Sequence, residues 1–346
     1  MSLKKFWPLI LLSAVLVLGL GSPVVAQEKD PVTGEVYPEV FRVGSFSNAP
    51  QTGVPIEEGF FDTLPAKIKI VFFDSGRDIN TAFASGSIDA ATFGSSPISL
   101  GVSNQLGYEV IFINSIIGSA ESLAVRKSSG ITTITELKGK KVATPFASTA
   151  HYSLLAALVQ NGVQPSEVTI LDLPTQDILA AWLRGDIDGA YVWTPVLEEL
   201  INNDGLVLTD SLKLAQKGTV TADVTVVNQQ FGQKYPTLVK AYVEAFVKAN
   251  VLINEKPEQA AAALAKHIGI DASEAAKQLE GHFFVPLPEQ TSPERLGTKG
   301  QPGDFAKTLK ETADFHVTQG NLDRAGDLSI YQAAVNGAWA EELRQK

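Results

Sequence analysis

The chain has 346 residues, of which 45% are apolar and 19% are charged, so it has ample material for a folded core. Its 38 acidic residues outnumber its 28 lysines and arginines, and the net charge of −10 argues against a nucleic-acid partner. The absence of cysteine excludes disulfides, thiolate nucleophiles, cysteine-ligated metal centres and a lipid-anchoring cysteine. The length favours two domains of average size.

The N-terminus has the layout of a secretory signal. Two lysines precede an apolar run at 6–18, and Val24 and Ala26 supply the small residues of a cleavage site. We interpret residues 1–26 as a signal peptide; the alternative is a membrane anchor, for which the run is short. The mature protein is therefore expected to be exported, soluble, periplasmic and without a lipid anchor.

Short apolar runs alternate with helical stretches along most of the chain, which predicts parallel α/β layers. Residues 27–39 are polar and contain prolines, and we interpret them as a flexible leader. Strands are predicted at 41–45, 68–73, 110–114, 123–126, 141–144, 168–172 and 190–193. Helices are predicted at 151–160 and 175–184 and, in a helical tail, at 237–254, 257–267, 272–280, 305–319 and 330–342.

Residues 84–97 are echoed by residues 183–195, which predicts two similarly built lobes. The matching pairs are Gly86 and Gly185, Asp89 and Asp188, and Pro97 and Pro195. Each copy predicts a helix that ends at glycine, a short strand, and a new helix opened by a hydroxyl residue and proline. Ser96 and Thr194 are the expected N-caps. The alternative is coincidence, because glycine and proline are common helix punctuation.

Two predicted helix starts are rich in hydroxyl groups. The first holds Ser95 and Ser96, and the second, at 147–153, holds Ser148, Thr149, His151 and Tyr152. Free amides and the helix dipole favour an anion at such a place, although simple capping explains each start equally well. Together they suggest two helix ends that face a shared anionic group across a cleft.

Two acids lie at or in apolar strand runs, where a charge is costly unless it is paired. Glu121 precedes one such run and Asp223 precedes another; the alternative for each is an acid on a surface loop. The aromatic residues Phe46, Tyr191 and Trp193 lie near strand ends, where they either wall a small cleft or pack in the core.

Signatures of enzymes are missing from the sequence. It has no G-x-S-x-G elbow, no Walker A loop and no strand-linked G-x-G-x-x-G, and its four histidines are not at metal-helix spacing. We therefore expect no cofactor and no bound metal. A Ser153 nucleophile with His151 remains an alternative, although residues two apart on a helix do not face each other.

Several runs of the sequence, within about residues 41–330, resemble the taurine-binding proteins of bacterial ABC importers. That branch lies within a wider group that captures aliphatic sulfonates, nitrate and thiamine precursors. The resemblance is carried by residues 73–76, 84–97, 137–158 and 180–195. The hydroxyl-rich helix start followed by His-Tyr-Ser is typical of the taurine branch, whereas Gly-Ser-Ser-Pro marks the wider group.

The resemblance implies a type II periplasmic binding protein, with a ligand between two lobes that close by hinge motion. Lobe 1 is expected at 40–124 and 231–346, and lobe 2 at 125–230, with hinge crossings near 123–125 and 225–227. Such a protein docks, here as an expected monomer, on a transmembrane permease whose cytoplasmic ATPase drives import.

The implied ligand is taurine, a sulfonate with an ammonium group. The two helix starts suit the sulfonate, and Glu121 and Asp223 suit the ammonium. The expected ligand-binding residues are Phe46, Ser47, Asn48, Ser95, Ser96, Glu121, Ser148, Thr149, His151, Tyr152, Trp193 and Asp223. The alternatives are a receptor for another small organic anion (an alkanesulfonate, nitrate or a thiamine precursor) and an exported hydrolase.

The sequence departs from that branch at two places on the expected pocket wall. The branch commonly carries Tyr-Gln-Thr after the first strand, where this chain has Ser45-Phe46-Ser47-Asn48. It also commonly has an aromatic residue where this chain has Thr225.

Overall fold

The computed structural model describes residues 28–345, so the predicted signal peptide lies outside the described residues. The strands are β1 (Val40–Ser45), β2 (Lys67–Phe72), β3 (Ala90–Gly94), β4 (Tyr108–Ile117), β5 (Glu121–Arg126), β6 (Lys141–Thr144), β7 (Thr169–Asp172), β8 (Gly189–Trp193), β9 (Gly205–Asp210), β10 (Ala222–Asn228), β11 (His282–Phe284), β12 (Gly297–Thr298) and β13 (Gln301–Pro302). The helices are α1 (Pro50–Glu57), α2 (Gly76–Ala84), α3 (Ser95–Ser103), α4 (Thr149–Gln160), α5 (Thr175–Arg184), α6 (Val196–Asn202), α7 (Ser211–Ala215), α8 (Gln229–Lys234), α9 (Pro236–Glu255), α10 (Pro257–Ile268), α11 (Ala272–Glu280), α12 (Leu287–Gln290), α13 (Phe305–Thr318), α14 (Leu328–Ala334) and α15 (Ala338–Arg344).

Two larger sheets share one plan. The first has the order β11-β4-β10-β3-β1-β2 and the second has the order β7-β6-β8-β5-β9. The strands β2-β1-β3-β10-β4 of the first sheet match β7-β6-β8-β5-β9 of the second in order and in direction. In each series the first three strands are parallel to one another, and the next two pairings are antiparallel. The layers are therefore mixed: three adjacent strands of each sheet are parallel, as expected, and the remaining pairings are antiparallel. Within the matched series, the antiparallel pairings are those of β5 and β10 with their neighbours on both sides.

The internal repeat is confirmed by equivalent hydrogen bonds in the two sheets. The Asp89 carboxylate accepts from the backbone amide of Arg42 at 2.9 Å, and the Asp188 carboxylate accepts from that of Lys141 at 2.8 Å. Each aspartate thus ties the start of a central strand to its parallel neighbour. Gly86 and Gly185 have φ of 68° and 83°, the left-handed conformation that favours glycine after a helix.

The predicted N-caps at the repeat are wrong. Gly94 takes the N-cap position of α3 and Pro195 that of α6, and neither helix has a side-chain cap. Ser96 already lies inside α3, and its hydroxyl is hydrogen-bonded to Nε2 of His316 at 2.8 Å instead. A partner from the distant helical tail therefore replaced the local capping bond.

The chain crosses between the two sheets slightly before the predicted positions. The first crossing is 118–120, between β4 and β5, and the second is 216–221, between α7 and β10. Leu123 lies within β5, and Thr225 lies within β10, which belongs to the first sheet, so the predicted boundary at 230 is corrected. The Thr225 hydroxyl donates to Asn114 of β4 at 2.7 Å, which anchors it in that sheet.

The leader and the tail also differ from expectation. Asp30 is fully buried and its carboxylate accepts from the amide of Thr237 at the start of α9, at 2.8 Å, so the described part of the leader is fixed to the body. The predicted helix 330–342 is interrupted between α14 and α15, where Val335 bridges to Val110 of β4.

Helices cover both faces of each sheet. Apolar clusters lie on the two faces of the first sheet and on the two faces of the second, and a further cluster joins α1 to α9, α10 and α11. Over residues 28–345, every helix is too short or too polar to cross a membrane.

The first crossing generates a stability prediction at Gly281. The amides of Gly118 and Ala120 both donate to the Gly281 carbonyl, and a Cβ at Gly281 would lie 2.5 Å from the Ala120 nitrogen. Because this contact is with backbone, Gly281→Ala should lower the free energy of unfolding by about 1–3 kcal/mol. Urea denaturation measures the change. Gly232→Ala, whose nearest neighbours are at 3.4 Å, is the matched control and should be close to neutral; equal stability of the two variants would contradict the prediction.

Candidate functional site

A cavity lies between the two sheets, where the carboxyl ends of their parallel strands face each other. Open α/β sheets bind ligands at this edge. The cavity has a volume of about 60 Å³, which is enough for several water molecules or one small ligand. The predicted site residues that line it are Phe46, Asn48, Glu121, Ser148, Thr149, Trp193 and Asp223.

The starts of four helices contribute to the cavity wall. They are represented by Pro50 of α1, Ser75 and Gly76 at α2, Gly94 at α3, and Ser148 at α4. The first amides of a helix have no partner within the helix, and its dipole is positive at this end, so the wall favours an anion. The sequence predicted the starts of α3 and α4; those of α1 and α2 are additional.

Ser148 is an N-cap, as the sequence suggested. Its hydroxyl accepts from the amide of His151 at 3.1 Å. The Thr149 hydroxyl, by contrast, donates to the Glu121 carboxylate at 2.6 Å. The hydroxyl of Thr149 is therefore engaged by Glu121, and only the backbone amide of Thr149 can bind an anion.

Glu121 is a buried carboxylate surrounded by hydroxyl groups. Besides Thr149, it accepts from Ser211 at 3.0 Å and from Ser153 at 3.4 Å. The pKa of Glu121 is raised to about 7, chiefly by burial and also by the neighbouring Asp223 carboxylate, while the hydroxyl donors act in the opposite direction. No lysine or arginine is among the described residues that line the cavity.

Asp223 lies on the first sheet and completes a pair of acids. Its carboxylate accepts from the Ser115 hydroxyl at 3.1 Å, and Nε2 of His282 lies 3.5 Å away. Burial raises the pKa of Asp223, while His282 and Ser115 act in the opposite direction. Nδ1 of His282 faces the backbone carbonyl of Gln278 at 2.8 Å, so that nitrogen carries a proton.

The two acids occupy equivalent places in the repeat. Glu121 stands opposite Trp193 across the β5–β8 pair, and Asp223 stands opposite Gly94 across the β10–β3 pair. Trp193 and Gly94 are themselves matching positions of the two sequence copies. Each sheet therefore supplies one acid, from the start of its antiparallel strand, beside the end of its central parallel strand.

Contacts across the cavity hold the two sheets together. The rings of Phe46 and Trp193 lie 6.4 Å apart, and the Asn48 side-chain amide donates to the Thr194 carbonyl at 3.3 Å. At the rim, Arg77 and Asp172 form an exposed ion pair at 3.1 Å. The structure is thus closed over the cavity.

Several predicted residues lie outside the cavity. The Ser95 hydroxyl accepts from the amide of Ala222, and Ser47 is exposed to solvent. The ring of His151 stacks on Phe146 at 4.3 Å, and Tyr152 packs against the tail. Ser96, Tyr191 and Thr225 are fully buried away from the cavity wall. The departure at Thr225 therefore does not alter the wall.

The structure also bears on the hydrolase alternative. In the described structure no hydrogen bond joins Ser153 to His151; the Ser153 hydroxyl faces Glu121 and Ser211 instead. Among residues 28–345, no three acidic or histidine side chains gather as a metal ion would require.

Sequence reasoning missed a second group of wall residues. The polar members are Gln51, Ser75, Thr194, Gln278 and His282. Ser75 had a usable signal, because it follows a predicted strand and precedes a helix. Gln278 and His282 come from the helical tail, which the sequence marks only as amphipathic helix.

Comparison with protein families and relatives places these observations in context. The family model described as NMT1/THI5 like matches residues 53–260. The taurine-binding periplasmic protein of Escherichia coli strain K12 is 38% identical over 266 residues, which cover 75% of this chain and 80% of that protein.

Solved structures show the same fold. The alkanesulfonate-binding protein SsuA from Xanthomonas axonopodis pv. citri, bound to MOPS, superposes with a TM-score of 0.72 at 20% identity, covering 85% of this chain and 98% of that one. The desulfurization enzyme DSZB superposes with a TM-score of 0.63 at 18% identity, covering 89% and 100%. The predicted α/β periplasmic-binding-protein fold is confirmed, and that fold also carries an enzyme.

The burial of Glu121 generates a prediction about pH. Because its pKa is raised from 4.5 to about 7, the folded protein holds a proton in this range that the unfolded state has released, so stability is full below this range and falls as pH rises through 7. Glu121→Gln removes this loss. Relative to the parent, the variant should gain roughly 2 kcal/mol of unfolding free energy between pH 5 and pH 8.

Denaturant titrations of both proteins at the two pH values measure this gain. His151 and His316, whose burial lowers the pKa of each to about 4, act equally in parent and variant and cancel in the difference. A difference that stays constant with pH would show that Glu121 is ionised throughout.

Proposed function

The chain belongs to the NMT1/THI5-like family, and we propose that it is the solute-binding component of an ABC importer that captures taurine between two lobes. The observation that carries this proposal is the polarity of the cavity. Two buried acids face it without a lysine or arginine on the described wall, while the starts of four helices line the same space.

This polarity suits a small zwitterion. The helix starts offer amides and the positive ends of their dipoles to a sulfonate, and Glu121 and Asp223 offer charge-assisted hydrogen bonds to an ammonium. The Phe46 and Trp193 rings pack against the short carbon chain that joins the two groups. The taurine-binding relative from Escherichia coli supports the same ligand.

Other ligands match the wall less well. A simple alkanesulfonate or nitrate leaves the two acids buried without a cation, which is the costly arrangement for buried charge. A thiamine precursor remains the alternative within the importer class. An exported hydrolase is the alternative outside the importer class. The observation that favours this alternative is the superposition on a desulfurization enzyme.

In this proposal each of the two sheets forms the centre of one lobe of the importer component. One lobe comprises residues 28–117 and 222–345, and the other comprises residues 121–215. The crossings at 118–120 and 216–221 form the hinge, and closure presents both lobes to a transmembrane permease coupled to an ATPase. The protein acts as a periplasmic monomer without bond breaking.

Calorimetry tests the proposal directly. Taurine should bind with a measurable heat and be recovered unchanged by mass spectrometry, whereas ethanesulfonate, nitrate and a thiamine pyrimidine should bind far more weakly. Conversion of taurine would favour the hydrolase, and ethanesulfonate binding as tight as taurine would refute the roles of the two acids.

Removing either acid should weaken capture. Glu121→Gln and Asp223→Asn each break a desolvated charge pair with the ammonium, which should cost about 2–5 kcal/mol of binding free energy. Titration calorimetry with taurine measures the loss. The control is Asp186, which forms an exposed ion pair with Arg184. Asp186→Asn removes an acid that does not line the cavity, so it should leave the affinity for taurine unchanged.

A further inference from the structure

Gln278 lines the cavity and carries a buried hydrogen-bond acceptor that has no partner among the described residues. The residue lies on α11 and is 3% exposed, and the acceptor is its Oε1. The orientation of this amide is fixed, because its Nε2 donates to the Asn48 carbonyl at 2.8 Å and the reverse orientation would set two oxygens against each other. A buried acceptor without a donor is costly, and a ligand can supply that donor.

The acceptor belongs to the same wall as the two acids. Four residues after Gln278, Nδ1 of His282 donates to the backbone carbonyl of Gln278. The other ring nitrogen of His282, Nε2, lies 3.5 Å from the Asp223 carboxylate. The side chain of Gln278 is held from the other side by the loop that carries Asn48. The amide oxygen therefore has little freedom to turn elsewhere.

We propose that Gln278 is a specificity-determining ligand contact, whose Oε1 accepts the third hydrogen of a primary ammonium group while Glu121 and Asp223 accept the other two. The inference rests on the proposed function. A primary ammonium has three N–H donors, and two carboxylates and one amide oxygen provide three acceptors. The cavity thus selects primary aminoalkane sulfonates over those whose nitrogen carries methyl groups.

The expected effects form a cycle of two proteins and two ligands. Taurine has three N–H donors and N-methyltaurine has two, so the second ligand still satisfies both acids but leaves Gln278 without a donor. The parent should prefer taurine by about tenfold or more, as expected for a hydrogen bond to a charged group. Gln278→Met keeps the side-chain length but removes the acceptor, and should bind the two ligands within about threefold of each other.

The experiment is titration calorimetry of both ligands with the parent, Gln278→Met and Gln278→Glu. Gln278→Glu loses the Nε2 donor to the Asn48 carbonyl, as Gln278→Met does, but keeps an acceptor oxygen, so of the two variants only Gln278→Glu should keep the preference for taurine. Gln332→Met, at an exposed position on α14, is the control for the substitution itself. Circular dichroism and thermal unfolding establish that each variant is folded.

The outcomes separate the two proposals. If Gln278→Met weakens both ligands by the same factor, Gln278 only positions the Asn48 loop and the inference is overturned. Equal affinity of the parent for taurine and N-methyltaurine overturns it as well, even if no variant folds. Absence of taurine binding by the parent overturns the proposed function itself.

Discussion

The structure depends on keeping two carboxylates in a closed cavity that has no lysine or arginine on its described wall. Burial raises the pKa of both Glu121 and Asp223, because no lysine or arginine on the described wall faces them and His282 only partly offsets the burial of Asp223. Hydroxyl groups from Thr149, Ser211 and Ser115 offset part of this cost. The remainder is available to a cationic ligand, since an ammonium group replaces the missing counter-charge. The raised pKa values of the two acids and their suitability for an ammonium group thus have the same electrostatic cause.

The repeated architecture explains how such a site arises. In each sheet an antiparallel strand begins beside the end of the central parallel strand, and its first residues point an acid toward the gap. The parallel strands end at the same edge and lead into helices, so amide-rich helix starts collect around the acids. Opposite polarities are therefore brought together by topology, without a lysine or arginine on the described wall of the site.

Much of the local structure was predictable from the sequence, and the failures have common causes. The strands β1, β6 and β8 and the helices α4 and α10 follow directly from short apolar runs, caps and periodicity. The caps predicted at Ser96 and Thr194 are wrong because Gly94 and Pro195 take the N-cap positions, and the Ser96 hydroxyl bonds to His316 instead. The second crossing lies slightly before its predicted position, because only the pairing of β10 assigns this strand to the first sheet.

The sequence by itself indicated the repeat, the α/β alternation and the two acids as candidates, because these depend on spacing and residue type along the chain. Tertiary structure alone decided which residues share the cavity. It added Gln278 and His282 from the tail, and it removed Ser95, His151 and Tyr152, whose side chains are held by other contacts. The physical reason is that a binding wall is assembled from residues far apart in the chain. Their meeting depends on sheet pairing and helix packing, which local patterns do not encode.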